Sequence, residues 1–316
     1  MYLLYQIGGR SENTQVKLDN QKIIGELGMN SILKFNSQIK FNATAEIKSI
    51  LDAIEQSIDQ LQKIKERRKF EINLAELQTL QQRDFIKKIL GFLYGIYIEK
   101  YHELLSEVVI SINSERFLTF GLVGRTLLET SATLRHYNKK LLEIAGSAKD
   151  KDNFSADELN ELVFILDQHS RGGRFDWFRF WTSNRKDMAS NLVNEIKMKV
   201  KKNDATDSLR SQSNPDSINV QTAINNWGKE SNGIQLAYAF FCELVHPNLG
   251  SNFLVMGVGN GNLNVSGDTK KVVARSIAAE GLRFLGPILK QALSDLSILL
   301  YWAALHTKGD PDDPFA

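Results

Sequence analysis

The sequence predicts an all-α protein: long antiparallel helices in a bundle, with a small β-hairpin insertion and an irregular N-terminal arm. Three observations predict it. From Thr44 onward, apolar residues recur at three- and four-residue spacing over most of the chain. Only five prolines occur in 316 residues. Sustained alternation of apolar and polar residues, the mark of a sandwich, is missing.

The elements follow in order. Residues 1–43 are polar and read as an arm, with Leu3, Leu4 and Tyr5, then Ile32, Leu33 and Phe35, as short strands. Residues 44–316 form the helical domain. Its first helix carries Ile47, Ile50, Leu51, Ile54, Ile58, Leu61 and Ile64 on one face and ends in the charged run Lys65–Lys69. A second helix spans about Leu74 to Ile112. A third runs from Ser114 to Ile144, where Gly121, Gly124 and Ala132 let another backbone approach. Ser155 and Glu158 form a capping box ahead of the next apolar run. A further helix covers Lys186–Lys201, and residues 203–216 read as a mobile loop that Asn214 and Pro215 close by opening the next helix. Gly233–His246 is almost wholly apolar and predicts a helix buried on most sides, stopped by Pro247. Residues 252–266 predict a β-hairpin turning at Asn260-Gly261. The last helix runs from about Asp268 to His306, with a kink expected at Gly286-Pro287.

Composition narrows the function classes. Hydrophobic residues are 42% and charged residues 24%, which excludes wholesale disorder. Thirty-nine basic against 37 acidic residues give a net charge of +2, which excludes a strongly basic nucleic-acid coat. A single cysteine, Cys242, permits neither an internal disulfide nor a cysteine-based zinc site. Met1–Gly9 lacks the basic start of a signal peptide, and the longest apolar stretch, Ile298–Leu305, is far short of the roughly 20 residues that span a bilayer. A cytoplasmic protein away from the membrane is expected.

Arg125 and Glu129 share a face of the third helix, amid Leu122, Val123, Leu127 and Leu128, and are expected to be a buried ion pair. Glu243 and His246 stand in the most apolar helix, where charge needs a partner. Glu99 and His102 repeat that Glu-x-x-His spacing. With Glu129 and Glu280 the two pairs suggest a di-metal carboxylate set as one alternative to a hydrogen-bond network. The segment Arg171–Trp181, with Arg171, Arg174 and Trp177, mixes cations and aromatic planes. It suits either single-stranded nucleic acid or a loop anchored to the core. Gly257–Gly261 reads as a turn, because strand rather than helix follows it and phosphate cradling needs a helix N-terminus.

The run Arg125-Thr126-Leu127-Leu128-Glu129, with Tyr238 and Cys242-Glu243-Leu244-Val245-His246-Pro247-Asn248, resembles a group of uncharacterised bacterial helical proteins. Those share an Arg-x-x-x-Glu helix and a late Glu-x-x-His-Pro-Asn segment. The resemblance covers about residues 85–250, and the group is loosely similar to HEPN-type domains. Many of those are RNases in toxin–antitoxin or phage-defence systems. HEPN nucleases carry an Arg followed by a His after four to six intervening residues. No arginine here stands at that spacing, so the resemblance implies Arg125 paired with His246 across helices.

The sequence therefore predicts a buried polar site of Arg125, Glu129, Glu243 and His246, with Tyr238 and Asn248 beside it. No metal or cofactor is assigned to it. The leading expectation is a binding or assembly module, in phage defence, that pairs with itself or with a protein partner. The alternatives are a metal-independent ribonuclease, with RNA as partner, and the di-metal protein.

Overall fold

A computed structural model of the chain describes residues 33–67, 82–147, 219–246 and 272–305, with the shorter stretches 155, 157–158, 160–162, 165, 251–252, 254–255, 257–259 and 262–264. Helix dominates them. The elements are α1 (Ser37–Asn42), α2 (Ala45–Arg67), α3 (Gln82–Asn113), α4 (Phe117–Ser147), α5 (Val220–Gly228), α6 (Gly233–Val245), β1 (Gly257–Gly259), β2 (Asn262–Asn264) and α7 (Val272–Leu305).

Part of the expected arm is core structure instead. Residues 33–36 are irregular rather than strand, and Phe35 is buried. Side chains supply the hydrogen bonds that a neighbouring strand would have made. Asn113 Oδ1 accepts from the Asn36 N–H at 2.8 Å, and Asn113 Nδ2 donates to the Lys34 carbonyl at 2.9 Å. Glu55 Oε1 accepts from the Phe35 N–H at 2.7 Å. The Asn36 carboxamide then caps α1 by accepting from the Gln38 N–H. Leu3, Leu4, Tyr5 and Ile32 lie outside the described residues, as do Lys186–Lys201, residues 203–216 and the start of the last helix before Val272.

α2 buries the predicted stripe Ile47, Leu51, Ile54, Ile58 and Leu61. It runs antiparallel to α3: Ile47 shares a cleft with Ile112, while Lys65 pairs with Glu99. A short turn reverses the chain into α4. Glu115, at φ 54°, takes the left-handed conformation there. The Tyr101 hydroxyl of α3 donates to Ser131 Oγ of α4 at 3.1 Å in the buried interior.

One orientation departs from the expected antiparallel set. Phe120 meets Gly281 and Arg135 meets Asp295, so α7 runs parallel to α4. Glu46 with Arg283 and Ile50 with Gly286 make it parallel to α2 as well. The physical reason is α6. It lies antiparallel on α4 and returns the chain to the α3–α4 turn, where Arg275 of α7 meets Glu115. Only neighbours joined by a tight turn must be antiparallel. α7 continues through Pro287 as one helix.

The capping box is present: the Ser155 N–H donates to Glu158 Oε2 and the Glu158 N–H to Ser155 Oγ. α5 opens on Asn219, whose side chain accepts from the Gln221 N–H. Asn214 and Pro215, expected to open this helix, lie outside the described residues. β1 and β2 pair antiparallel with Val258 opposite Leu263. Asn260 and Gly261 are outside the described residues. No described helix is long and apolar enough to cross a membrane.

Candidate functional site

Small residues on α4 bring α6 close. A Cβ at Gly121 would lie 2.9 Å from Leu244 Cβ, and one at Gly124 would strike the Phe241 ring. This close approach seats the buried arc of α6, Ile234, Ala237, Phe241 and Leu244, against the core. It also rolls Tyr238 and Cys242 toward the flank of α4 that carries Arg125 and Glu129.

There the residues converge. Arg125 Nε donates to Glu129 Oε1 at 2.8 Å. The Tyr238 hydroxyl reaches the same carboxylate oxygen at 3.5 Å. The Arg125 guanidinium carbon stands 5.7 Å from the centre of the Tyr238 ring, a cation–π distance. The hydrogen bond to Glu129 holds the guanidinium above its ordinary pKa against the opposing effect of burial. Burial, then the neighbouring Cys242 thiol and the Glu129 carboxylate, push the Tyr238 hydroxyl up, while Arg125 draws it down.

Two expectations about this site are corrected. The pair is not buried: the Arg125 and Glu129 side chains are 32% and 28% exposed. Glu243 and His246 are exposed as well. α6 is apolar in composition, yet it buries a single arc. Glu243 falls on the opposite side, beside Leu236 at 61% exposure, so no buried charge needs compensation there. His246 forms the C-cap of α6, past Leu244. The Arg125 guanidinium is engaged by Glu129 and the Tyr238 ring. Asn248, Arg171, Arg174 and Trp177 lie outside the described residues.

The di-metal set is not assembled either. Glu99 pairs with Lys65 at 2.5 Å, and His102 Nδ1 is 3.5 Å from the same ammonium. Burial and that cation lower the His102 pKa. Glu280 pairs with Arg283. Glu99 and His102 of α3 turn to Lys65, Glu129 of α4 to Arg125, and Glu280 of α7 to Arg283, so these four are spread over three helices with separate partners. Among the described residues, no three His, Cys, Asp or Glu side chains gather closely enough to hold a metal ion.

Among the described residues, the fully buried charge lies elsewhere, on α7. Asp295 of α7 is 2% exposed. Arg135 of α4 lies beside it and also reaches Glu230, in the turn between α5 and α6, where Lys139 pairs too. The Asn138 carboxamide donates to the Asp295 carbonyl at 2.6 Å. One signal pointed there: a lone carboxylate inside the apolar run of the last helix. No protein-family model, curated protein or solved structure matches the chain.

Proposed function

We propose that the chain is a non-catalytic assembly module that pairs with a second copy of itself through the face of α4 and α6 around Arg125. One observation carries the reading. Arg125 is held between Glu129 and Tyr238, in line with Leu118 and Leu122, which are 39% and 50% exposed. These four α4 residues fall on one helix face. Arginine and tyrosine are enriched among the residues that dominate interface energies, and pre-ordering them lowers the cost of association. The Arg125–Glu129 pair is self-complementary, so a two-fold axis can set each arginine against the other copy's glutamate. The site's charges cancel locally, which suits a protein surface better than a phosphate backbone.

The ribonuclease reading needs an arginine and a histidine at one phosphate, and Arg125 is committed elsewhere. The defence setting rests on the family resemblance alone. Light scattering across a concentration series tests the proposal. Expected is a dimer that Leu122→Glu converts to monomer with an unchanged unfolding midpoint. A wild-type monomer throughout, or a dimer indifferent to Leu122→Glu, overturns it.

A further inference from the structure

Three polar atoms lie inside the α4–α7 contact with no hydrogen-bond partner among the described residues: Asn138 Oδ1, Asp295 Oδ2 and Arg135 Nε. Asn138 and Asp295 are 1% and 2% exposed, so bulk solvent does not serve them. The side chains that carry these atoms touch one another. Arg135 Nη1 stands 3.4 Å from Asp295 Oδ1, and the Asn138 carboxamide donates to the Asp295 carbonyl at 2.6 Å. Buried polar groups in folded proteins are satisfied as a rule, by protein or by ordered water, and three neighbouring exceptions point to one shared partner.

The groups around them do not supply it. Asn138 Oδ1 and a carboxylate oxygen are both acceptors, so they cannot satisfy each other. Turning the Asn138 amide over would set its oxygen against the Asp295 carbonyl oxygen at 2.6 Å, which fixes its orientation. On the other Asp295 oxygen, Arg135 Nη1 at 3.4 Å and Gln291 Nε2 at 3.3 Å are both long contacts. Burial first, and then the Asp295 charge, hold the Tyr101 hydroxyl above its ordinary pKa, so that hydroxyl is a neighbour too. Its proton is given to Ser131 Oγ, and the Ser131 hydroxyl donates in turn to the Leu127 carbonyl. Arg135 Nη2 is taken by Glu230.

The open valences are thus two acceptors and one donor. A cation would meet the Arg135 guanidinium, and an anion would meet the Asp295 carboxylate. A neutral molecule with two protons to give and a lone pair to receive one matches the set. We infer that one water molecule is built into the core here, donating to Asn138 Oδ1 and Asp295 Oδ2 and accepting from Arg135 Nε. Three hydrogen bonds are the usual complement of a buried water. Arg135 and Asn138 stand about one turn apart on α4, so this water fastens that turn to Asp295 of α7. Its walls belong to both helices, and it leaves only when they part.

A crystal structure of the full chain that resolves ordered solvent, with oxygen-17 relaxation dispersion of water in solution, tests this. Expected is one solvent peak within about 3.2 Å of all three atoms. Expected too is a long-lived water signal that falls by one molecule per chain in Asn138→Leu. The paired variant Arg135→Met, Asp295→Leu should lose the same molecule, and it carries the test should Asn138→Leu fail to fold. The inference is overturned if no solvent peak bridges these atoms. It is also overturned if Asp295 Oδ2 and Asn138 Oδ1 lie at direct hydrogen-bond distance, which requires a protonated carboxyl, or if folded variants keep the full wild-type signal.

Discussion

Arg135 Nη1 stands 3.4 Å from Oδ1 of Asp295, a carboxylate whose side chain is only 3% exposed. The same guanidinium spends its better contact, 2.5 Å through Nη2, on the more exposed Glu230. The Trp227 ring lies 5.8 Å from its centre. One arginine thus ties the α5–α6 turn and α7 to α4. The arrangement is tight but incompletely satisfied: Arg135 Nε, Asn138 Oδ1 and Asp295 Oδ2 are buried without a hydrogen-bond partner. Gln291 Nε2, at 3.3 Å, is the other group on Oδ1.

Removing Arg135 strands a buried charge. Arg135→Met is expected to cost about 3–5 kcal/mol in urea unfolding, because Asp295 is left uncompensated. The double variant Arg135→Met, Asp295→Leu should recover much of that loss, since it removes both desolvation penalties. The pH dependence has a definite sign. Burial holds the Asp295 carboxyl above its usual range, and Arg135 draws it down. A raised folded-state pKa means that the folded chain binds the proton more tightly than the unfolded one. The penalty is therefore present at neutral pH and relieved on acidification. Relative to the wild type, Arg135→Met should gain stability as pH falls from neutral toward 4. A loss over that range in this variant, relative to the wild type, would show that Asp295 is not its titrating group.

His136 works in the opposite direction. Its ring packs edge-on to Tyr137 at 5.5 Å, and its Nε2 is buried without a hydrogen-bond partner. Burial first, then Lys140 and Lys139, push its pKa down to about 4. The unfolded chain therefore takes up a proton near pH 6.5 that the folded chain refuses until about 4, and stability is lost across that window. For a half-buried ring the loss is about 1 kcal/mol after solvent screening. His136→Phe should flatten this limb of the midpoint-against-pH curve, which thermal melts between pH 7 and 4 would measure.

The helices were legible where burial is one-sided. The stripe from Ile47 to Leu61 is a single face of α2, and the period survives in the structure because one partner layer covers it. α6 misled for the complementary reason. Its composition is apolar on all sides, so neither its buried arc nor the exposure of Leu236 and Glu243 could be read from periodicity. α1 was missed because Asn113 and Glu55, distant in sequence, hold the backbone ahead of it. The Arg125–Glu129 pair was legible as an i,i+4 contact. Its depth was not, since that depends on which flank of α4 the glycines leave to α6. The Arg135–Asp295 contact joins helices 160 positions apart and has no local signature.

The glycines of the helices separate into two kinds. A Cβ at Gly124 collides with the Phe241 ring at the heart of the α4–α6 contact. Gly124→Ala is expected to cost about 1–3 kcal/mol through overpacking, read as a lower denaturation midpoint. A Cβ at Gly91 of α3 meets nothing within 4 Å. Gly91→Ala should stabilise by about 0.5–1 kcal/mol, through helix propensity and a less disordered unfolded chain. Equal effects of the two substitutions would mean that α6 does not sit on α4 as closely as described.

Arg125 separates a docking residue from a structural pin. Its ion pair is about one-third exposed, so its loss should cost stability well under about 1 kcal/mol. The Tyr238 hydroxyl, at 3.5 Å from Glu129, adds little more. Arg125→Ala and Tyr238→Phe are thus expected to melt within a degree or two of the wild type. Leu128→Ala, at a fully buried position of the same helix, should lose about 2–5 kcal/mol. The measurement that separates the roles is the dissociation constant for self-association. Truncating an arginine at an interface centre typically weakens binding by about 2 kcal/mol, near thirtyfold. An Arg125→Ala protein that melts well below the wild type while associating normally would make the guanidinium an internal brace between α4 and α6, with no part in docking.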